Sequence, residues 1–466
     1  MNTEKKESKL YKFSKDTPSN DVERKEGEMR YSFLKTAEKI FSEESKFVKK
    51  PGDIKIGLEI EYSVISKDFS QATELSRDKI IKDNNDFTDY ELGAAQLEWR
   101  TPPLYLNQIG LMALEKELLK KEERIKNSAQ EQGVFLLRSG SNPFVPINEI
   151  KRTNKTKYQL VPNYHNSNKR YGLNTIIGKI DKVDVGNAAI IALTNSVQCN
   201  IEAISFSDTI DKTNKSFAIG PMAVALSGNA RLLEEKDTGI SDIRMIAWEI
   251  SHDTRTALEV EQGRVTRVGL LDSYYQDLKN YFQKVSCYPF ILYDPEHAFQ
   301  IGMGLNWRDT RIKFIENSIV VEFRPVSTQP TVKENIAMMA FYLGRLQWSN
   351  QHKETLLDLK LVKQNREEAM HFGLNGKLWT HKDEKTVILP AKDALSIELK
   401  RATDGLESLG FFKKEIDYYF DVLQERLIKR QVPSDKLLHR FYEYRSRGYS
   451  RKKSIAFALN ENESII

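Results

Sequence analysis

Residues 56–65 read IGLEIEYSVI, and this stretch limits the fold more than any other. β-Branched and aromatic residues alternate with Glu59 and Glu61, which is a strand pattern. Side chains two apart on a strand share a face, so both carboxylates point the same way and repel each other. A fold that keeps this strand must leave that face in water or supply it with compensating charge.

The pattern recurs. Gln96, Glu98 and Arg100 share a face opposite Leu97 and Trp99. Ser196, Gln198, Asn200 and Glu202 lie opposite Val197, Cys199, Ile201 and Ala203, and Glu322 and Arg324 lie opposite Val321 and Phe323. Any one of these strands would suit a sheet with one wet face. Together they present Glu, Gln, Asn and Arg with almost no Lys, unlike ordinary solvated strands. Clustered carboxylates must be compensated or their pKa values rise. Divalent ions such as Mg²⁺ or Mn²⁺ are natural compensators, and Mg²⁺ typically works with carboxylates plus phosphate oxygens. Arginines on the same surface suit bidentate recognition of phosphate or carboxylate. Acids and arginines on one concave sheet therefore point to a metal–nucleotide site.

The remaining chain is ordinary for a globular protein: 466 residues, 40% hydrophobic and 29% charged, with 71 Lys and Arg against 66 Asp and Glu. A formal charge of +5 is close to balance over this length and gives no basic stripe for nucleic acid. The densest basic run, RSRGYSRKK at 445–453, reads as a solvated helix or tail. No apolar run approaches the roughly 20 residues that span a bilayer, and the N-terminus lacks the apolar core of a signal peptide. The cysteines, Cys199 and Cys287, fit a reducing cytosol and read as small core residues. The sequence leaves a single bridge between them open. The expected location is cytoplasmic, with no membrane partner.

Residues 1–28 are charge-dense and expected to be flexible. Helical spacing appears over 29–48, over 107–132 beginning at Asn107, over 181–195 and 215–227, over 332–351, and throughout 391–444. Strands and helices are interspersed without repeats or a clear linker, which predicts one α+β domain over 29–445 and a basic C-terminal tail over 446–466. There is no GxxxxGK[ST], no strand–GxGxxG–helix, no GxSxG and no HExxH; His numbers only 7. A glycosidase would need two carboxylates, not five or six interleaved with arginines.

Taken in order, these segments resemble the glutamate–cysteine ligases and related carboxylate–amine ligases, particularly the plant-type branch. GLEIE at 57–61 is similar to the family's G-x-E-x-E. ELGAAQLEWRTPP at 91–103 keeps Glu91, Gln96 and Glu98 at family spacing, and SVQCN at 196–200 resembles T-V-Q-V-N. GNARLLEEKDTGISDIRMIAW at 228–248, Asp253-Thr254-Arg255, VEFR at 321–324 and ATDGLESLG at 402–410 follow in family order. The resemblance implies an antiparallel sheet curled into a half-barrel or funnel, with helices packed outside and a glutamine-synthetase-like catalytic core. It implies that ATP phosphorylates the side-chain carboxylate of glutamate and that the amine of cysteine then displaces phosphate, a first step toward glutathione-like thiols. It also implies metal ligands at Glu59, Glu61, Glu91, Glu98 and Glu322, with Glu59, Glu61, Glu322 and Arg324 in the catalytic machinery. Gln198, Asn200, Arg244 and Arg255 fall to ATP or substrate carboxylate contacts. The implied partners are small molecules and Mg²⁺ or Mn²⁺.

The chain departs from the plant-type pattern around the acceptor. Pro325-Val326-Ser327 replaces G-A-D, Trp307 is followed by Arg308, Asp309 and Thr310 where the plant type has a histidine, and 269–306 matches poorly. Cysteine is the first expectation by family frequency; another amino acid, a dipeptide or an amine is the alternative. A binding protein that kept the scaffold is the third reading.

Overall fold

A computed structural model of the chain describes residues 11–12, 19–108 and 110–466. Its centre is an eight-stranded antiparallel sheet. The strands are β1 (Lys55–Ser66), β2 (Thr88–Tyr90), β3 (Gln96–Arg100), β4 (Leu104–Tyr105), β5 (Val134–Leu137), β6 (Val197–Ala203), β7 (Thr310–Ile315) and β8 (Ser318–Phe323). The order runs β7-β8-β6-β1-β3-β2, with β4 and β5 also pairing with β1. The sheet curls into a half-barrel with helices outside it, so the expected α+β class holds.

Register brings the polar residues together. Glu59 lies opposite both Gln198 and Arg100, Glu61 opposite Glu98, and Glu322 opposite both Asn200 and Arg311. Leu58, Ile60, Tyr62, Leu97, Trp99, Cys199, Ile201, Val321 and Phe323 fall on the other face and join one large core. The helices Leu111–Glu131, Phe206–Ser227 and Val332–Gln351 feed that core with Leu114, Leu118, Ile219, Ile336 and Leu343. Phe323 stacks on Tyr342 with ring centroids 4.0 Å apart and nearly parallel planes. Further out, the helices Val332–Gln351 and Ala391–Ser408 cross with backbones touching. A Cβ on Gly405 would sit 1.9 Å from the Gly344 carbonyl oxygen. Gly405 of the ATDGLESLG segment thus serves packing.

Several boundaries differ from expectation. The first helix runs Ser19–Ser42, so the end of the segment expected to be flexible is helical; residues 1–10 and 13–18 of it lie outside the described residues. The helix expected from Asn107 begins at Leu111, after Gly110. Over 181–195 only Ala188–Leu193 is helical, as a 3₁₀ turn capped by Asn187, because Val183–Asp184 pairs with Ile176–Ile177 instead. The helical stretch 391–444 is three helices, broken by left-handed backbone at Gly410 and Arg430. Cys199 is buried as expected, but Cys287 is exposed. No described helix is long and apolar enough to cross a membrane.

The C-terminal segment is the largest correction. Residues 446–466 do not form a tail: Ser450 caps a helix over Arg451–Glu461. Its basic residues face outward, while Ile455 and Leu459 are fully buried in a cluster with Leu137 and Phe441. The last residue then joins the sheet, Ile466 exchanging both backbone hydrogen bonds with Leu136 at 2.9 and 3.0 Å. Ending the chain at Ser446 should therefore lower stability by several kcal/mol, since each of Ile455 and Leu459 contributes about 1.5–3 kcal/mol of burial. Urea unfolding of the truncated and full chains measures this, and an unchanged midpoint would restore the tail reading.

Candidate active site

The concave face of the half-barrel encloses a cavity of about 690 Å³. Its floor carries Glu59, Glu61, Glu91 and Glu98 beside Gln198, Arg311, Lys313 and Arg324, and one wall is apolar, with Trp248, Ile301, Leu305 and Trp307.

Three acids converge at one end. Glu61, Glu91 and Glu98 each offer a carboxylate oxygen, and these atoms lie within 4.8 Å of one another. Glu61 comes from β1 and is oriented by its neighbours: one oxygen accepts from the Ser196 backbone N–H at 2.6 Å and its hydroxyl at 3.0 Å, the other from Gln198 Nε2 at 2.9 Å. Glu98 projects from β3. Glu91 sits on the tight connection between β2 and β3, which the fully buried Arg77 clamps by donating to the carbonyls of Gly93 at 3.0 Å and Gln96 at 3.1 Å. A Cβ at Gly93 would lie 2.9 Å from the Ala192 carbonyl oxygen, so the loop closes only with glycine there. Gln96, in the cavity lining, commits its amide N–H to the Thr194 carbonyl and Asn195 Oδ1, a holding role.

None of these three carboxylates has an ion-pair partner among the described residues. Burial pushes the Glu91 carboxyl up to about 8, helped by the Glu61 charge. Burial, then the charges of Glu59, Glu91 and Glu61, holds Glu98 well above the carboxylate range, and burial also raises Glu61. Converging carboxylate oxygens, buried or half-buried and without an ion-pair partner among the described residues, form a donor set that fits a hard divalent ion.

The other end is compensated by the chain itself. Glu322 on β8 is 0% exposed and pairs with Arg311, Lys313 and Arg324, the last at 2.6 Å. Burial alone would raise its pKa; the charges of Arg311, Lys313 and Arg324 instead hold it well below the carboxylate range. Lys313 also reaches both oxygens of Glu59, at 3.1 and 3.3 Å. Arg324 Nη1 donates to Gln198 Oε1 at 2.8 Å, so Gln198 links the two ends.

The other expected residues divide. Arg244 is buried behind this cluster and donates to the Arg324 carbonyl at 3.0 Å, where its charge acts on Glu61. Asn200 lies on the polar face opposite Glu322, its Oδ1 buried and unpartnered among the described residues, but it does not line the cavity. Arg255 is not brought to the cavity: it forms a two-bonded ion pair with Asp253, both contacts 2.8 Å, because its nearest carboxylate is two residues away in its own loop. The residues that sequence reasoning missed are Arg311 and Lys313. Their signal was the alternation in TRIKFI at 310–315, where both point to one face and Ile312 to the other.

The raised acids fix a pH dependence. A carboxyl whose pKa is higher folded than unfolded favours the folded state while protonated, and that contribution is lost as pH rises between the two values. For Glu91 the window runs from the ordinary 4.5 to about 8. With divalent ions chelated, the urea midpoint should fall across this window, Glu91→Gln should flatten much of the fall, and added Mg²⁺ should restore more stability at its upper end than at its lower end. A profile unaffected by Glu91→Gln would mean that Glu91 titrates normally.

The model of glutamate-cysteine ligase family 2 matches residues 55–454, which takes in all eight strands of the central sheet. The chloroplastic glutamate–cysteine ligase of Nicotiana tabacum is 25% identical over 135 residues, 29% of this chain; the match spans only 23% of the tobacco protein. A glutamate–cysteine ligase from Francisella tularensis, solved in complex with AMP, shares the fold with a TM-score of 0.56 at 14% identity, over 89% of each chain. A bifunctional glutathione synthetase from Pasteurella multocida does so with a TM-score of 0.55 at 12% identity, over 93% of this chain and 54% of the other. With family motifs aligned on one curled sheet and a family model covering most of its length, the chain belongs to glutamate–cysteine ligase family 2, a family of ligases.

Proposed function

We propose that this protein is an ATP-dependent ligase that activates the side-chain carboxylate of glutamate as an acyl phosphate and joins it to an amine, with cysteine the first candidate. The observation that carries this reading is the charge arrangement of one cavity: three unpaired acids at one end, a cluster of cations at the other. ATP and a carboxylate substrate repel each other, and such a cavity offers both the anchor and the neutralising charge that their reaction requires. Glu61, Glu91 and Glu98 would hold Mg²⁺ or Mn²⁺, which when bound would supply Lewis-acid neutralisation of phosphate charge. Gln198 and Ser196 keep Glu61 aimed at that position. Arg311, Lys313 and Arg324 face the transferred phosphoryl group or a substrate carboxylate with fixed positive charge. The wall of Trp248 and Trp307 offers an apolar surface beside the reacting groups, which would disfavour water near an acyl phosphate before the amine attacks. Support from outside the chain is the family match and the AMP bound by the Francisella ligase.

A second acceptor reading has one observation in its favour. The wall formed by Val161, Ile301, Leu305 and the two tryptophans is broad and apolar, and suits an amine larger than cysteine. In the departing segment Pro325-Val326-Ser327, Pro325 lines a small pocket with Trp248, Trp307 and Arg324. Beyond Pro325, Ser327 donates to Asp242 at 2.5 Å and Thr328 to the Glu61 carbonyl at 3.0 Å, so these two residues brace the sheet.

Phosphate release from ATP with Mg²⁺ should require glutamate and an amine, and a panel of amines tests the acceptor. Hydroxylamine in place of the amine should trap the activated carboxyl as a glutamyl hydroxamate. Glu61→Gln should lower kcat by roughly 100-fold or more, the scale of losing one charge-stabilising group, with no drop in melting temperature. Hydroxamate forming at full rate in Glu61→Gln, or phosphate release indifferent to glutamate, would reject the proposal.

A further inference from the structure

Lys313 stands between two carboxylates that the motif pattern offers as metal ligands. Its ammonium reaches Glu59 at 3.1 and 3.3 Å and is also bonded to Glu322. At this end of the cavity two carboxylates, Glu59 and Glu322, meet three cations, Arg311, Lys313 and Arg324, a net charge of +1. At the neighbouring end Glu61, Glu91 and Glu98 have no ion-pair partner among the described residues, a net charge of −3 when ionised. Attraction for a divalent ion is therefore unequal along a single cavity.

The three cations also differ in freedom. Arg311 grips Glu322 through Nε and Nη2. Arg324 is tied to both Glu322 and Gln198. Among the described residues Lys313 bonds only to the two carboxylates, on a flexible stem that carries a point charge. Lysine and a divalent ion need the same oxygens, and among the described residues Lys313 is the one cation that bridges Glu59 and Glu322, where a shared ion would sit.

We propose, resting on the ligase reading above, that Lys313 competes with a divalent cation for Glu59 and Glu322. The cavity then loads divalent ions in order. The Glu61–Glu91–Glu98 end takes its ion directly. The Glu59–Glu322 end takes one only when a triphosphate offers Lys313 another anion. Lys313 is thus a positioning residue that ties filling of the second ion position to arrival of the nucleotide, which keeps the site from binding a second ion ahead of its substrate.

Mn²⁺ titration read by the electron paramagnetic resonance of free Mn²⁺ tests this on the full chain. Wild type should bind about one equivalent without nucleotide and about a second only with a non-hydrolysable ATP analogue. Lys313→Met should bind about two equivalents without nucleotide, the second roughly tenfold tighter or more than in wild type, because a like charge a few ångströms away has gone. Lys313→Arg, which keeps the charge, should behave as wild type. Glu59→Gln should keep the first equivalent and lose the second even with the analogue, which covers the case of a Lys313→Met protein that does not fold. Two equally tight ions in wild type, or a single ion in folded Lys313→Met, would overturn this inference and leave the ligase reading intact. Absence of any bound Mn²⁺ would overturn both.

Discussion

Alternation across paired strands couples the two faces of this sheet, and the rest of the structure depends on that coupling. Each acid on the concave side is fixed by an apolar neighbour on the convex side: Glu59 and Glu61 by Leu58, Ile60 and Tyr62, Glu98 by Leu97 and Trp99, Glu322 by Val321 and Phe323. A one-residue slip in β1 would drive both carboxylates into the helices and the apolar side chains into the cavity. Burying two unpaired charges in that core costs far more than the repulsion it would relieve. The core behind the sheet therefore sets where the acids stand, and their mutual repulsion is tolerated because no alternative register is cheaper.

That constraint explains why the two ends of the cavity are compensated differently. Glu322 faces β7, whose alternation places Arg311 and Lys313 on the same side, so ladder geometry alone delivers its counter-charges. Glu61 and Glu98 face each other across β1 and β3, and Glu91 enters from the adjoining loop; no comparable cationic strand borders them among the described residues. Gln198, in the middle, donates to Glu61 and accepts from Arg324, joining an anionic and a cationic region without adding charge to either. The polarity of the cavity is thus a consequence of strand order.

Most of the sheet and much of the site are legible in the sequence, for the same reason. A period of two is short enough that four or five residues display it, so β1, β3, β6 and β8 and the acids on them stand out. The rest is hidden on physical grounds. Arg311 and Lys313 occupy a strand whose charges resemble a solvated face, and nothing local says that the strand pairs with Glu322. Arg255 shares a motif with Asp253, and sequence order does not reveal that the two satisfy each other away from the cavity. In the C-terminal segment the basic run RSRGYSRKK at 445–453 masks the apolar IAFAL that follows it, and the burial of Ile455 and Leu459 shows that the helix is amphipathic. Motif membership likewise does not separate reacting groups from supports: Gly405 lets two helices touch, and Gln96 braces a loop.

The apolar wall has its own second layer. Trp248 donates to Thr194 Oγ1 at 3.0 Å and stacks on His252, which lies 4.3 Å from His165 between ring centroids, while Trp307 abuts both histidines edge-on or tilted. Burial and the nearby charge of Arg267 push the His252 imidazole down to about 3, and burial and His252 hold His165 well below its ordinary value. Both rings are therefore neutral at physiological pH, and the layer behind the tryptophans carries no titrating imidazole to attract water or anions. The cavity runs from a strongly anionic end, through a region balanced by its own cations, to a neutral apolar wall. On the ligase reading proposed above, ions and phosphates would be drawn to the first two, leaving the wall to discriminate among acceptors by shape and apolar contact. Such contact separates substrates that differ by a methylene by only about 1–3 kcal/mol. Under the same ligase reading, a strong preference for one amine would come instead from polar side chains that line the same cavity, among them Lys155, Lys157, Tyr158 and Gln300.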